Sequence, residues 1–170
     1  MPENRRLLPM LDRSLSSADP ALVAVLNDLT IGNKPWPLLL HGRPGRGKTC
    51  GVLALCDIVE TACYWTAERL GNFIMGHNSA EVQGEYDHIG SKHLAVLDEL
   101  GERERTGDLG YQAVKQFADV REQRAGRVAI YISNVPPHEL ADVYDDRLAS
   151  RILCGTIHEL TGDDRRKVRA

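Results

Sequence analysis

Gly42-Arg43-Pro44-Gly45-Arg46-Gly47-Lys48-Thr49 stands directly after an apolar run of strand length, Pro37 to His41, and opens a helical stretch through Leu53 and Leu55. The segment satisfies GxxxxGK[ST], a loop whose glycines let the backbone curl so that its N–H groups converge on an anion. The following helix N-terminus reinforces that attraction. A nucleoside triphosphate fits such a cradle. Gly42, Gly45, Arg46, Gly47, Lys48, Thr49 and the adjoining Cys50 are therefore the candidate nucleotide contacts, with Lys48 bridging the outer phosphates and the Thr49 hydroxyl ligating Mg²⁺. ATP and Mg²⁺ are the implied ligands. His41 reads as a strand residue rather than a catalyst.

Outward from this loop, further strand-length apolar runs follow in order: Ala62 to Thr66, Leu94 to Asp98, Val128 to Ser133 and Thr156 to Leu160. Helical spacing lies between them, as in Leu109, Ala113, Phe117 and Val120, or Leu140, Val143, Tyr144 and Leu148. Near-continuous strands such as LAVLD and VAIYIS, joined by helical crossovers, predict a parallel sheet covered on both faces. The fold class is α/β. Ahead of the first strand, Pro20 to Leu29 reads as a short helix, capped by Ser17 or Asp19 and stopped by Gly32. Residues 1–19 read as a mobile arm or surface-packed segment, with a docking helix through Leu7, Leu8, Leu11 and Leu15 as the alternative.

The run His93 to Asp98 ends in Glu99, which puts two carboxylates at the carboxyl edge of the sheet, where ligands bind in such folds. Asp98 suits the Mg²⁺ shell, and Glu99 suits orientation and polarisation of an attacking water. Having both points to hydrolysis rather than to transfer onto a bound acceptor. Asn134, after Val128 to Ser133, is either an amide for the terminal phosphate and the water or the start of the turn into Pro136-Pro137. Arg147 and Arg151 are i,i+4 neighbours in a segment ending a helix. They fit two roles: cations favoured by the helix dipole, and an arginine finger at Arg151.

Composition narrows the class. The chain has 170 residues, 42% of them hydrophobic, and a net charge of −3. That length favours one domain with a core of its own, and the near-neutral balance makes any nucleic-acid contact local or shared among subunits. The longest apolar runs fall well short of the roughly 18 residues a membrane helix needs. The first residues lack a continuous apolar stretch, so no secretory signal is read there and a cytoplasmic location is expected. Cys50, Cys56, Cys63 and Cys154 show no metal-ligand spacing and read as reduced packing residues.

Taken together, HGRPGRGKT, LAVLDELG, YISN, DRLASRI and LTGDDRR, across about residues 36 to 168, resemble the AAA+ ATPases of the DnaC/IstB group, which includes helicase loaders. The resemblance implies a five-stranded AAA+ core that binds ATP and Mg²⁺. It makes Gly42 to Thr49 Walker A, Asp98 and Glu99 Walker B, Asn134 sensor I and Arg151 a finger acting in a neighbour's site. It also implies an active homo-oligomer, with a replicative helicase or a transposase and DNA, single-stranded by preference, as partners, and no membrane. The domains expected are 1–35, an arm and short helix, and 36–170, the ATPase core.

Two features depart from the group. Only ten residues follow Leu160, too few for a helical lid, so Arg165 or Arg166 would have to replace a lid arginine unless that basic tail is simply solvated. No dense aromatic and basic strip marks a nucleic-acid surface, although Lys92, Arg103 and Arg105 flank the acidic pair in sequence. The leading reading is an ATP-dependent helicase loader. An IstB-type transposition helper is the alternative, with a small P-loop kinase or a nucleotide-dependent adaptor more distant.

Overall fold

The structure, a computed structural model, describes residues 18–101, 103–123 and 128–162, with side chains of 103–106 outside that description. Residues 1–17 of the expected arm, including Ser17, the side chains of Arg103 and Arg105, and Arg165 and Arg166 lie outside the described residues.

Helix α1 (Pro20–Thr30) starts where Asp19 accepts a hydrogen bond from the Ala21 amide at 2.8 Å. Pro20 fills the first turn, where its missing N–H costs nothing. Then come β1 (Leu38–His41), α2 (Lys48–Ile58), β2 (Ala62–Thr66), α3 (Ala67–Gly76), α4 (Ser79–Ser91) and β3 (Leu94–Leu100). After these follow α5 (Arg103–Glu122), β4 (Val128–Ser133), a short 3₁₀ turn at Pro137–Glu139, α6 (Leu140–Val143), α7 (Asp146–Leu153) and β5 (Thr156–Glu159). The five strands pair in parallel in the order β2-β3-β4-β1-β5. This is the α/β class read from the sequence.

Strand alternation divides the core into two layers. Leu38, Leu40, Val96, Ile130 and Ile132 pack with Leu22, Leu26 and Leu29 of α1 and Val52 and Leu53 of α2. Leu39, Leu97 and Tyr131 point the other way and pack with Leu70, Ile89, Phe117, Leu148 and Ile152 from α3, α4, α5 and α7. Coverage on both faces is why the strands read as continuous apolar runs. Cys63 lies in the second layer, where burial pushes its thiol up to about 12, in keeping with the packing role expected of it. No helix among the described residues is long and apolar enough to cross a membrane.

Several local expectations change. The segment read as one helix over residues 140–148 is two, because Asp145 is extended (φ 171°, ψ 168°) and its carboxylate caps α7 by accepting from the Leu148 amide at 2.8 Å. Asp146 to Arg151 therefore opens a helix, with Arg151 in its last turn. Strand β3 continues past Asp98 to Leu100 across an irregularity in its pairing with β4. Lys92 flanks the acidic pair only in sequence: it caps α4 before β3 begins, at the opposite end of that strand from Asp98.

Arg121, four residues after Phe117 on the inner side of α5, is 4% exposed. Its Nη1 donates to the carbonyls of Ile89 (3.1 Å) and Lys92 (2.8 Å), and its Nη2 to those of His93 (3.2 Å) and Val128 (2.6 Å). The planar fork thus ties α4, β3 and β4 together at the amino edge of the sheet, a geometry an ammonium cannot match. Arg121→Ala is expected to destabilise the fold by about 3 kcal/mol or more, because buried carbonyls lose charged donors. Arg121→Lys should recover only part of that. Urea unfolding of the two variants and the parent checks the ranking, and equal midpoints would refute it.

Candidate nucleotide site

Three adjacent strands, β3, β4 and β1, end at the same edge of the sheet. The loop after β1 turns through positive-φ glycines at Gly42 (139°), Gly45 (83°) and Gly47 (86°). A Cβ on Gly42 would stand 2.5 Å from the Leu160 carbonyl oxygen, so only glycine lets the loop leave β1 beside the end of β5. Gly47 precedes α2 in the left-handed conformation, and no side chain caps that helix. The first N–H groups of α2 are left to an anion.

Lys48 is 5% exposed, and its ammonium donates to the carbonyls of Gly42 and, at 3.0 Å, Arg43. The cation is already at the loop. A phosphate would compete with those carbonyls as a stronger, charged acceptor. His41, just before the loop, is held below its ordinary pKa by burial, against the pull of Glu159, while His158 and Lys48 act with the burial. A neutral imidazole adds no charge here, which agrees with its reading as a strand residue.

The Thr49 hydroxyl donates to Asp98 Oδ2 at 2.7 Å, joining the first turn of α2 to the end of β3 across 49 residues of sequence. Asp98 is 4% exposed; its Oδ1 accepts from the Glu99 amide at 2.6 Å, and its Oδ2 also accepts from the Tyr64 hydroxyl at 2.7 Å. Burial and then the Asp98 carboxylate push the Tyr64 phenol well up, so it stays a donor. Glu99 is exposed with φ 62°, a left-handed conformation uncommon outside glycine, and it directs its side chain away from the core. Gly101 follows at φ 95°, where a Cβ would strike Val135 at 2.5 Å, and its amide donates to the Tyr144 hydroxyl at 3.0 Å. The chain after Glu99 is thereby clamped.

Register sets Ser133 opposite His41 on one side and Leu100 on the other, so Asn134 emerges between the Gly42 loop and the acidic strand end, exposed. Ser133 Oγ, fully buried, accepts from the Val135 amide at 3.0 Å and fixes the turn around Asn134. The structure thus brings together Gly42, Gly45, Gly47, Lys48, Thr49, Asp98, Glu99 and Asn134. Arg46 and Cys50 belong to the same loop and first helical turn, both half-buried.

Arg151 is different. Its guanidinium is not free to face outward: it pairs with Asp119 and, at 3.2 Å, with Glu122, both on α5. Beside it, Tyr111, Lys115, Asp145 and Arg147 line an open cleft of about 380 Å³ between α5 and α7. Sequence reading missed Tyr64, Tyr144 and these α5 carboxylates. Each acts through a contact spanning more than 25 residues, for which no local pattern exists.

The arrangement fits a magnesium nucleotide. Among the described residues no cluster of three or more His, Cys, Asp or Glu could hold a metal ion alone. Mg²⁺ instead favours one or two protein oxygens with water and substrate phosphates, which a Thr49–Asp98 pair beside an anion cradle supplies.

No family model matches the chain, and no curated protein matches it in sequence. Solved structures do match. A replication initiator DnaA bound to AMPPCP and single-stranded DNA superposes with a TM-score of 0.70 at 18% identity, over 89% of this chain and 50% of its own. A DnaC helicase loader gives 0.65 at 16% identity over 88% of this chain and 97% of its own. A DnaI structure gives 0.59 at 22% identity over 91% of each chain. The chain spans about half the length of two DnaA structures it matches, one of them from Aquifex aeolicus, and 68% of domain III of the Thermotoga maritima DnaA. With its five parallel strands and these superpositions, the chain shares the α/β fold of the DnaA, DnaC and DnaI structures.

Proposed function

We propose that this protein is an ATPase of the helicase-loader type, which hydrolyses ATP in a homo-oligomer and engages DNA, preferably single-stranded, together with a replicative helicase. The observation that carries the reading is the Thr49 hydroxyl held on the Asp98 carboxylate, beside a helix N-terminus with no side-chain cap. In this reading Gly42, Gly45, Arg46, Gly47, Lys48, Thr49 and Cys50 enclose the phosphates, and Thr49 and Asp98 hold Mg²⁺. Bound Mg²⁺ supplies neutralisation of the outer phosphates. Glu99 accepts a proton from the attacking water, and Asn134 hydrogen-bonds that water and the terminal phosphate. Arg151 exchanges its α5 carboxylates for the terminal phosphate of a neighbouring subunit. Residues 36–170 carry the ATPase motifs in this reading, and of the expected arm and short helix over 1–35, α1 belongs with that unit, because its Leu22, Leu26 and Leu29 are buried against the sheet.

Likeness to DnaC, DnaI and DNA-bound DnaA supports the loader reading over a kinase, as does the carboxylate pair, which suits water as acceptor. The test is Mg²⁺-dependent phosphate release alongside DNA binding by anisotropy. Single-stranded DNA is expected to bind about 5-fold tighter or more with a non-hydrolysable ATP analogue than without nucleotide. Affinity should fall steeply as salt rises, since phosphate contacts release counterions. Equal affinity with and without nucleotide removes the coupling. Stronger binding to duplex than to single strands favours the transposition-helper alternative.

A further inference from the structure

Tyr64 has no part in the loop, the acidic pair or the strand-tip amide, yet its hydroxyl ends on the carboxylate oxygen that Thr49 also meets. Its register partner on β3 is Val96, and Asp98 lies two residues further along the same strand and face. The ring fills the core between β2 and α2, packed with the layer that holds Val52, Leu53 and Val96. A phenylalanine would fill that space equally well. Only the hydroxyl distinguishes the residue that is present, and it is spent on one oxygen of one buried carboxylate.

We propose that Tyr64 is a positioning residue for the metal site, fixing the rotamer of Asp98 so that the carboxylate stays on the Thr49 hydroxyl and beside a Mg²⁺ held there. This rests on the nucleotide-site reading above. Thr49 holds the carboxylate from one side only. Its hydroxyl can turn a lone pair to a metal while still donating its hydrogen to Asp98 Oδ2, whereas the Tyr64 hydroxyl reaches the same oxygen from β2 and takes no part in coordination. Asp98 Oδ1 is meanwhile held by the Glu99 amide, so the carboxylate is pinned at both oxygens. Groups that orient a ligand from outside the coordination sphere commonly matter about 10-fold or more for metal affinity.

The experiment measures affinity for a fluorescent, non-hydrolysable ATP analogue, first in EDTA and then across a Mg²⁺ titration, for the parent, Tyr64→Phe, Asp98→Asn and the double variant. Thermal melts confirm that each is folded. Tyr64→Phe is expected to bind the metal-free analogue as the parent does and to need about 10-fold more Mg²⁺ for the half-maximal gain. The double variant should match Asp98→Asn, because the hydroxyl acts only through that carboxylate. An unchanged Mg²⁺ midpoint in Tyr64→Phe overturns the proposal, as does an equal loss of affinity in EDTA, which would mark a general distortion of the cradle. A parent that binds no analogue at all overturns the nucleotide-site reading itself, a separate result. If the parent binds but gains nothing from Mg²⁺, the metal role of Asp98 falls and the positioning role of Tyr64 with it.

Discussion

Lys48→Ala is expected to weaken ATP binding by at least about 100-fold, whereas Glu99→Gln binds ATP like the parent and loses about 10²–10⁴ in turnover. The two phenotypes separate because the residues act on different quantities. Lys48 is a buried ammonium already at the loop, bound to the carbonyls of Gly42 and Arg43. Alanine removes the cation from the phosphates and leaves the loop without its internal strut, so ground-state binding is lost. Glu99 is exposed and belongs to β3 rather than to the loop, and glutamine keeps its shape while removing its basicity. Only the step that needs a proton acceptor suffers. Equilibrium binding of a fluorescent ATP analogue and single-turnover phosphate release check the pair. Parent-like affinity in Lys48→Ala would sink the phosphate-loop assignment, and undiminished turnover in Glu99→Gln would remove Glu99 from the chemistry.

Arg151→Ala should abolish oligomer-dependent turnover, since arginine fingers in other nucleotide hydrolases contribute roughly 10³ to 10⁵ in rate. The side chain is held within its own subunit, on Asp119 and Glu122. These are partly exposed surface pairs, a class that contributes little to stability, so a trans phosphate carrying more charge can displace them. Mixing Arg151→Ala subunits with Lys48→Ala subunits should restore part of the activity, because some interfaces then combine an intact loop with an intact arginine. Neither variant alone should hydrolyse ATP appreciably. Turnover in Arg151→Ala that is full and independent of protein concentration would make Arg151 a strut between α7 and α5, and the trans mechanism would fail.

The contrast between Lys48 and Arg151 shows where sequence reading has purchase. Lys48, Thr49 and the loop glycines are specified by a contiguous pattern, because a backbone that must curl around an anion needs fixed residues at fixed intervals. Asp98 and Glu99 were legible through the apolar run before them, which reads as a buried strand and puts the pair at the carboxyl edge of the sheet, although a cap or a solvated turn would leave the same local pattern. Arg151 was legible as a cation near a helix end, but its partners were not. Asp119 and Glu122 lie on another helix, and only the packing of α7 against α5 brings them within reach.

The sequence by itself determined the α/β class, the five strand runs, the phosphate loop and the carboxylate pair. Each is carried by local periodicity or local backbone demand, and these act over a few residues. The tertiary structure alone decided the order β2-β3-β4-β1-β5, which sets Asn134 between loop and carboxylates, and the left-handed turn at Glu99. It also decided the bond from Tyr64 to Asp98 across 34 residues, and the fork of Arg121 across the amino edge of the sheet. The physical reason is the same for all of these. Hydrogen bonds between distant segments depend on which strands become neighbours and in what register, a choice made by burial of the whole core.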